Sequence, residues 1–186
     1  MKTNPILWLA LAGAALLINL NLNAADLVWI GGTGNWNAAG NWSPAQIPTA
    51  ADNVWLTNSG TYTVTVPAGS TATNNSLTIG GASGTQTLAV DRAPLSINGP
   101  SLINGNGQLT LLVAQSLVTG PGSLTVNGVL NCPNGTISGA GALTINSGGM
   151  LAIGSGGITL GRTLNNSGSG SWAGGNLTIS ANNSIN

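Results

Sequence analysis

Alternation with a period of two runs through most of this chain, in bursts too short for helices. Leu77-Thr78-Ile79, Leu88-Ala89-Val90, Leu95-Ser96-Ile97 and Leu109-Thr110-Leu111 each set apolar residues either side of a smaller one. The pattern continues in Leu124-Thr125-Val126, around Ile137, and in Leu143-Thr144-Ile145, Leu151-Ala152-Ile153, Ile158-Thr159-Leu160 and Leu177-Thr178-Ile179. Period two predicts strands with one buried face, and the glycines and asparagines between the bursts predict corners. Further upstream, Tyr62-Thr63-Val64-Thr65-Val66 has the same alternation between Gly60 and Pro67.

The bursts also recur at longer range. The string from Gly120-Pro121-Gly122 to Val126-Asn127 returns 19 residues on, from Gly139-Ala140-Gly141 to Ile145-Asn146. Leu164-Asn165 lies a further 19 residues beyond Ile145-Asn146. A recurrence of about 20 residues is the mark of a solenoid. Three bursts per recurrence predict three strands per coil, hence an all-β parallel β-helix over residues 76–186. Equal spacing predicts Val126, Ile145 and Leu164 as one interior column, with Leu124 and Leu143 heading a second. One position on, Asn127, Asn146 and Asn165 are expected either to form a hydrogen-bonded asparagine ladder or simply to permit turns.

Residues 26–75 differ. Trp29, Trp36, Trp42 and Trp55 place four of the six tryptophans in a short stretch, among Gly31, Gly32 and Gly34. A solenoid needs its open end covered, so this block with the Tyr62 strand is expected to be an amino-terminal cap. Before it, Met1 to Ala25 reads as a signal-peptide helix: Lys2, an apolar run from Ile6 to Ile18, then the small residues Ala24 and Ala25. Cleavage is expected near Ala24 or Ala25. Export follows from it.

The series Trp29-Ile30-Gly31-Gly32-Thr33-Gly34-Asn35-Trp36, then Asn41-Trp42, Pro48, Asp52-Asn53-Val54 and Tyr62 to Val66, resembles the mature start of secreted bacterial proteins with autotransporter-associated β-strand repeats. The Leu-Thr-Ile and glycine-rich repeats at 76 to 179 are similar to the β-helical passenger region of that family. The resemblance implies a right-handed parallel β-helix displayed at the cell surface, outer membrane-associated or extracellular, with adhesive or structural roles. That family's autotransporters end in a membrane β-barrel, and the alternating, aromatic-girdled strands of one are not in this sequence. The string stops at Ser184-Ile185-Asn186 in mid-repeat, so the expectation is the amino-terminal portion of a longer protein.

Composition narrows the function. Charged residues make up 3% of the chain, and there is no histidine, which excludes a Ser-His-Asp triad. The acids Asp26, Asp52 and Asp91 are scattered, not paired as carboxylate catalysis requires. Asp52 is expected to tie a turn, and Asp91-Arg92 to be a solvated pair. Lys2, Arg92 and Arg162 are too few for a nucleic-acid surface. The lone Cys132 has no disulfide partner and no zinc spacing, and is expected to be a buried packing residue. No cofactor or metal is implied, and no membrane span is expected in the mature part.

The expectation is therefore an exported, non-enzymatic β-solenoid, a surface adhesin or passenger-type scaffold whose partners are surface glycans or other cell-surface proteins. The alternative is a carbohydrate-binding or carbohydrate-processing β-helix with its active residues elsewhere. For that reading Trp36, Trp42 and Trp172 are the candidate ligand aromatics, the same residues that serve equally as packing in a cap.

Overall fold

The structure is a computed structural model and describes residues 24–180 and 184–186. The expected signal-peptide helix therefore lies outside the described residues, apart from Ala24 and Ala25. The chain forms a parallel β-solenoid of about seven coils. Three sheets of eight, seven and six strands run the length of the stack, and each complete coil adds one strand to each. In one coil these strands are Leu124–Val126, Val129–Cys132 and Gly135–Ser138; in the next, Leu143–Ile145, Met150–Ile153 and Ile158–Gly161.

Why these residues build coils follows from the alternation. In Leu124–Val126 the outer two side chains are buried and Thr125 faces out, and the next coil repeats this with Leu143, Thr144 and Ile145. Parallel pairing then sets like on like. In the second sheet Val64, Leu88, Leu109, Leu130 and Leu151 form one continuous column. In the third, Ala72, Leu95, Val118, Ile137 and Leu160 form another. Each aliphatic side chain buried in this way contributes about 1.5–3 kcal/mol. Cys132 sits beside them, fully buried, and burial pushes its thiol up to about 12. Its sulfur is part of the packed interior.

The register corrects one expectation. Leu164 pairs with Leu143, and Ile145 pairs with Asn166. Leu164 thus continues the column of Leu124 and Leu143, while the column of Val126 and Ile145 ends on Asn166. The cause lies in the corners. Relative to the coil before, two residues are added between Ile145 and Met150 and two more between Ile153 and Ile158, while two are removed between Gly161 and Leu164. The net gain makes the true spacing from Leu143 to Leu164 21 residues. The even 19-residue interval to Leu164 in the sequence is a coincidence of these changes.

Stacking begins well before the clear repeats. Asp26–Trp29 and Asn53–Leu56 already lie side by side in the first sheet, followed by Ser76–Ile79. On the far side of Asp26–Trp29, Trp42–Ser43 pairs antiparallel and covers the exposed edge. An uncovered edge offers unpaired N–H and C=O groups to other chains. Trp29, Trp36 and Trp42 close this end beneath it. Trp42 meets both partners edge-to-face, with ring centroids 4.9 Å from Trp29 and 5.0 Å from Trp36, an arrangement aromatic quadrupoles favour. The Trp42 indole N–H donates to the Trp36 carbonyl at 2.8 Å.

Glycine at the corners lets successive coils approach. Gly139 has φ +111, and a Cβ there would fall against the Gly120 carbonyl oxygen. Gly105 has open space around its Cβ position. Replacing Gly139 with alanine is expected to lower stability by at least about 3 kcal/mol, and Gly105→Ala to change it by less than about 0.5 kcal/mol, both read from chemical denaturation. Equal effects at the two sites would contradict the close-packed corner.

Candidate functional site

The outward positions of the sheets stack as regularly as the inward ones. In the third sheet Thr136, Thr159 and Thr178 form one row, and Ser96 and Thr119 belong to the neighbouring row. The Ser138 hydroxyl donates to that of Thr119 at 3.4 Å. Along the first sheet the outward row runs Val28, Trp55, Thr78, Leu102, Thr125, Thr144 and Asn165. Beside the threonine row an open groove of about 290 Å³ is lined by Asn134, Thr136, Thr159, Asn176 and Thr178. Its polar groups are hydroxyls, side-chain amides and backbone, with no ionisable side chain.

That neutrality is built in. Of the five charged residues in the described region, Asp52 and Arg162 are buried and Arg92 pairs with Asp91 at 3.1 Å. Asp52 accepts from the Ala25 N–H at 2.9 Å, the Thr49 N–H at 2.8 Å and the Thr49 hydroxyl at 2.7 Å. Burial alone would raise its pKa, but these three donors outweigh it and hold the carboxyl below its ordinary value. At the other end of the stack, Arg162 takes the corner that Gly139 occupies one coil earlier. Its guanidinium donates to the Ser138 carbonyl, through Nε at 2.9 Å and also through Nη2, and to the Gly122 and Gly120 carbonyls at 3.2 and 3.3 Å. Loss of hydration lowers its pKa, as expected for a cation without a carboxylate beside it.

The sequence-predicted residues fall into different places. Trp36 and Trp42 are buried, 0% and 1% exposed, so neither can present a ring to a sugar; both belong to the cap core. Trp172 is 60% exposed, yet its register partner is Ile153, so it stands in an inward column on the last described coil. There it lines an apolar hollow with Leu151, Leu164, Leu177 and Ile185. Asn146 does donate to Asn127, at 2.7 Å, but on the exposed rim and not inside a bend. Asn165 is not the third rung: the corner insertions place it beside Thr144, and its side chain accepts instead from Asn186 at 3.1 Å.

Three features escaped the sequence reading. Trp55 is the tryptophan that faces out from a sheet, between Val28 and Thr78; the buried Val54 and Leu56 on either side of it gave the parity that could have found it. A polar ladder at the start of the first sheet links Asn53 to Asp26 at 2.9 Å and Asn75 to Asn53 at 2.9 Å. The third is the Arg162 clamp, for which a lone arginine among glycine-rich repeats was the available signal. Comparisons with protein-family models, curated proteins and solved structures find no match to this chain.

Arg162 joins two earlier coils through one planar group, which a single-point ammonium cannot copy. Arg162→Ala is expected to destabilise by about 3 kcal/mol, with Arg162→Lys recovering less than half, while Arg92→Ala stays within about 0.5 kcal/mol. Thermal melts of the three variants test this. An unchanged midpoint in Arg162→Ala would show the clamp to be idle.

Proposed function

We propose that this chain is an exported, non-enzymatic scaffold displayed at a cell surface, whose outward rows of hydroxyl and amide groups are its contact face. The observation that supports this reading is the combination of in-register Thr, Ser and Asn rows with burial or pairing of nearly every charge. Such a face offers many weak, directional hydrogen bonds at a fixed spacing set by the strands, about 4.8 Å. That spacing suits a flat, uncharged polymer such as a neutral surface glycan, or the polar face of another surface protein. Among the described residues no helix is long and apolar enough to cross a membrane, so display through this part of the chain rests on its strands or on other proteins. Kinship to the autotransporter-associated repeat proteins belongs to this proposal and rests on the tryptophan series and the repeats.

A second reading, carbohydrate recognition by an aromatic platform, is supported by Trp55, 38% exposed on the outward row of the first sheet. The two readings share an uncharged partner and differ in which side chains carry affinity.

Binding of the purified protein to arrayed neutral glycans and to intact cell surfaces tests both. Because the face is neutral, binding is expected to change by less than about twofold between roughly 0.05 and 1 M salt. Thr136→Lys with Thr159→Lys, which puts charge into the outward row without touching the core, is expected to weaken the scaffold contact about tenfold. A tenfold loss in Trp55→Ala with the lysine variant unaffected would favour the aromatic platform. Binding that collapses with salt, or no binding above an uncharged control, would count against both.

A further inference from the structure

Asp52 is one of two charged residues buried among the described residues, and the acid of the two. Its Oδ2 ties the turn through both Thr49 donors. Its Oδ1 reaches across 27 residues to the N–H of Ala25. The carboxylate is 3% exposed, and among the described residues no cation faces it: Arg92 pairs with Asp91, and Arg162 is held by carbonyls of the later coils. The next coil has the neutral Asn75 at the corresponding position, one residue before the Asn53–Ser76 pair. A negative charge thus appears at the level where Ala25 joins the stack and not at the level above it.

We infer that the chain is cut between Ala24 and Ala25 and that the ammonium group so created is bound by the buried carboxylate of Asp52. This rests on the export reading above. Two small residues, Ala24 and Ala25, end the apolar leader, and the fold distinguishes between cuts after each. A cut after Ala25 would remove the carbonyl that accepts the Asn53 N–H at 2.8 Å and leave Asp52 Oδ1 without its donor. A cut after Ala24 keeps both bonds. In that step an export-linked peptidase adds water across the Ala24–Ala25 C–N bond. The hydroxyl goes to the Ala24 carbonyl carbon and the proton to the Ala25 nitrogen, which takes up a further proton from solvent at neutral pH.

The consequence is a change in the strength of one contact. An amide N–H donating to a carboxylate becomes an ammonium donating to it at the same place, a shorter and stronger kind of bond. Ala25 is only part-buried, so the remaining ammonium protons stay in reach of water. The ionisable groups on the segments packed here are Asp52 and Asp26, and the Asp26 carboxylate accepts from the Asn53 side chain. Both are acids, so both favour the charged amine. Processing would therefore fasten the cap only after the leader has gone.

The test has two arms. In the first, the full chain is expressed with export and the amino terminus of the exported product is sequenced; Ala25 is the expected first residue. A product exported but beginning elsewhere would overturn this inference and leave the export reading standing, whereas an uncut chain retained in the cell would sink both. In the second, the exported product is acetylated at its amino terminus. Lys2 is the lone lysine of the sequence, so after processing the α-amine is the single amine that the reagent can cap. Acetylation keeps an N–H donor and removes the charge.

At about pH 6, capping is expected to lower the melting midpoint by roughly 2–4 °C. The amine is stabilised in its charged form by folding, so its contribution is full below its ordinary pKa of about 8 and disappears as pH rises through the folded value, leaving no difference by about pH 10–11. In Asp52→Asn, where Asp26 alone remains, the capping effect is expected to fall to less than half at every pH. No effect of capping in the parent chain, or an equal effect in Asp52→Asn, would overturn the ion pair. If Asp52→Asn does not fold, the pH dependence in the parent chain decides alone.

Discussion

Every coil of this protein has to present its inward side chains at the level where the coil beneath presents its own. That constraint, like on like across parallel strands, governs the rest. It fixes the alternation within each strand and sets the columns from Val64 to Leu151 and from Ala72 to Leu160. It also confines length changes to corners, because a one-residue slip within a strand would turn the apolar face outward. The two corner insertions and one deletion between Ile145 and Leu164 obey it: all three fall in corners, and the strands beyond them stay in register with the coil before. Gly139 and Arg162 are two answers to the same corner, one letting backbones touch and the other stitching them together.

Neutrality follows from the same architecture. With the interior filled by aliphatics and the corners by glycine, the outward rows are left largely to threonine, serine and asparagine, with Val28, Trp55 and Leu102 among them in the first sheet. Asp52 and Arg162 are drawn inside to hold the two ends of the stack, and the surface keeps little charge of its own. A face of this kind cannot steer a partner from a distance. On the proposed scaffold reading, selectivity would have to come from spacing and hydrogen-bond direction.

Strands were legible because apolar alternation survives even in three-residue bursts such as Leu124-Thr125-Val126. The class of fold could be read for the same reason. Register was less legible: compensating corner insertions are invisible to a search for equal spacing, and so Leu164 and Asn165 were assigned to the wrong columns. Ser169–Trp172 is a strand without any apolar alternation; pairing to Met150–Ile153 makes it one, and no local signal does. Tryptophan burial could not be read from type, since the same residue serves as cap core at Trp36 and Trp42 and as an outward ring at Trp55. Asp52 was legible as a turn tie, but its bond to Ala25 joins positions 27 residues apart and needed the coil to bring them together.

The register at the insertion is the point where the account is most exposed. Cysteines placed at Thr144 and Asn165, which pair directly in the outward row of the first sheet, would have Cα atoms about 4.8 Å apart, within disulfide reach. Cysteines at Asn146 and Asn165 would be offset by two residues along the strands and out of reach, at roughly 8 Å. Cys132, buried with its pKa pushed up to about 12, stays silent in such an experiment. Mild oxidation followed by mass spectrometry is expected to cross-link the 144/165 pair readily and leave the 146/165 pair as free thiols. Cross-linking of the 146/165 pair in place of the other would restore the even 19-residue spacing and contradict the register on which the stack depends.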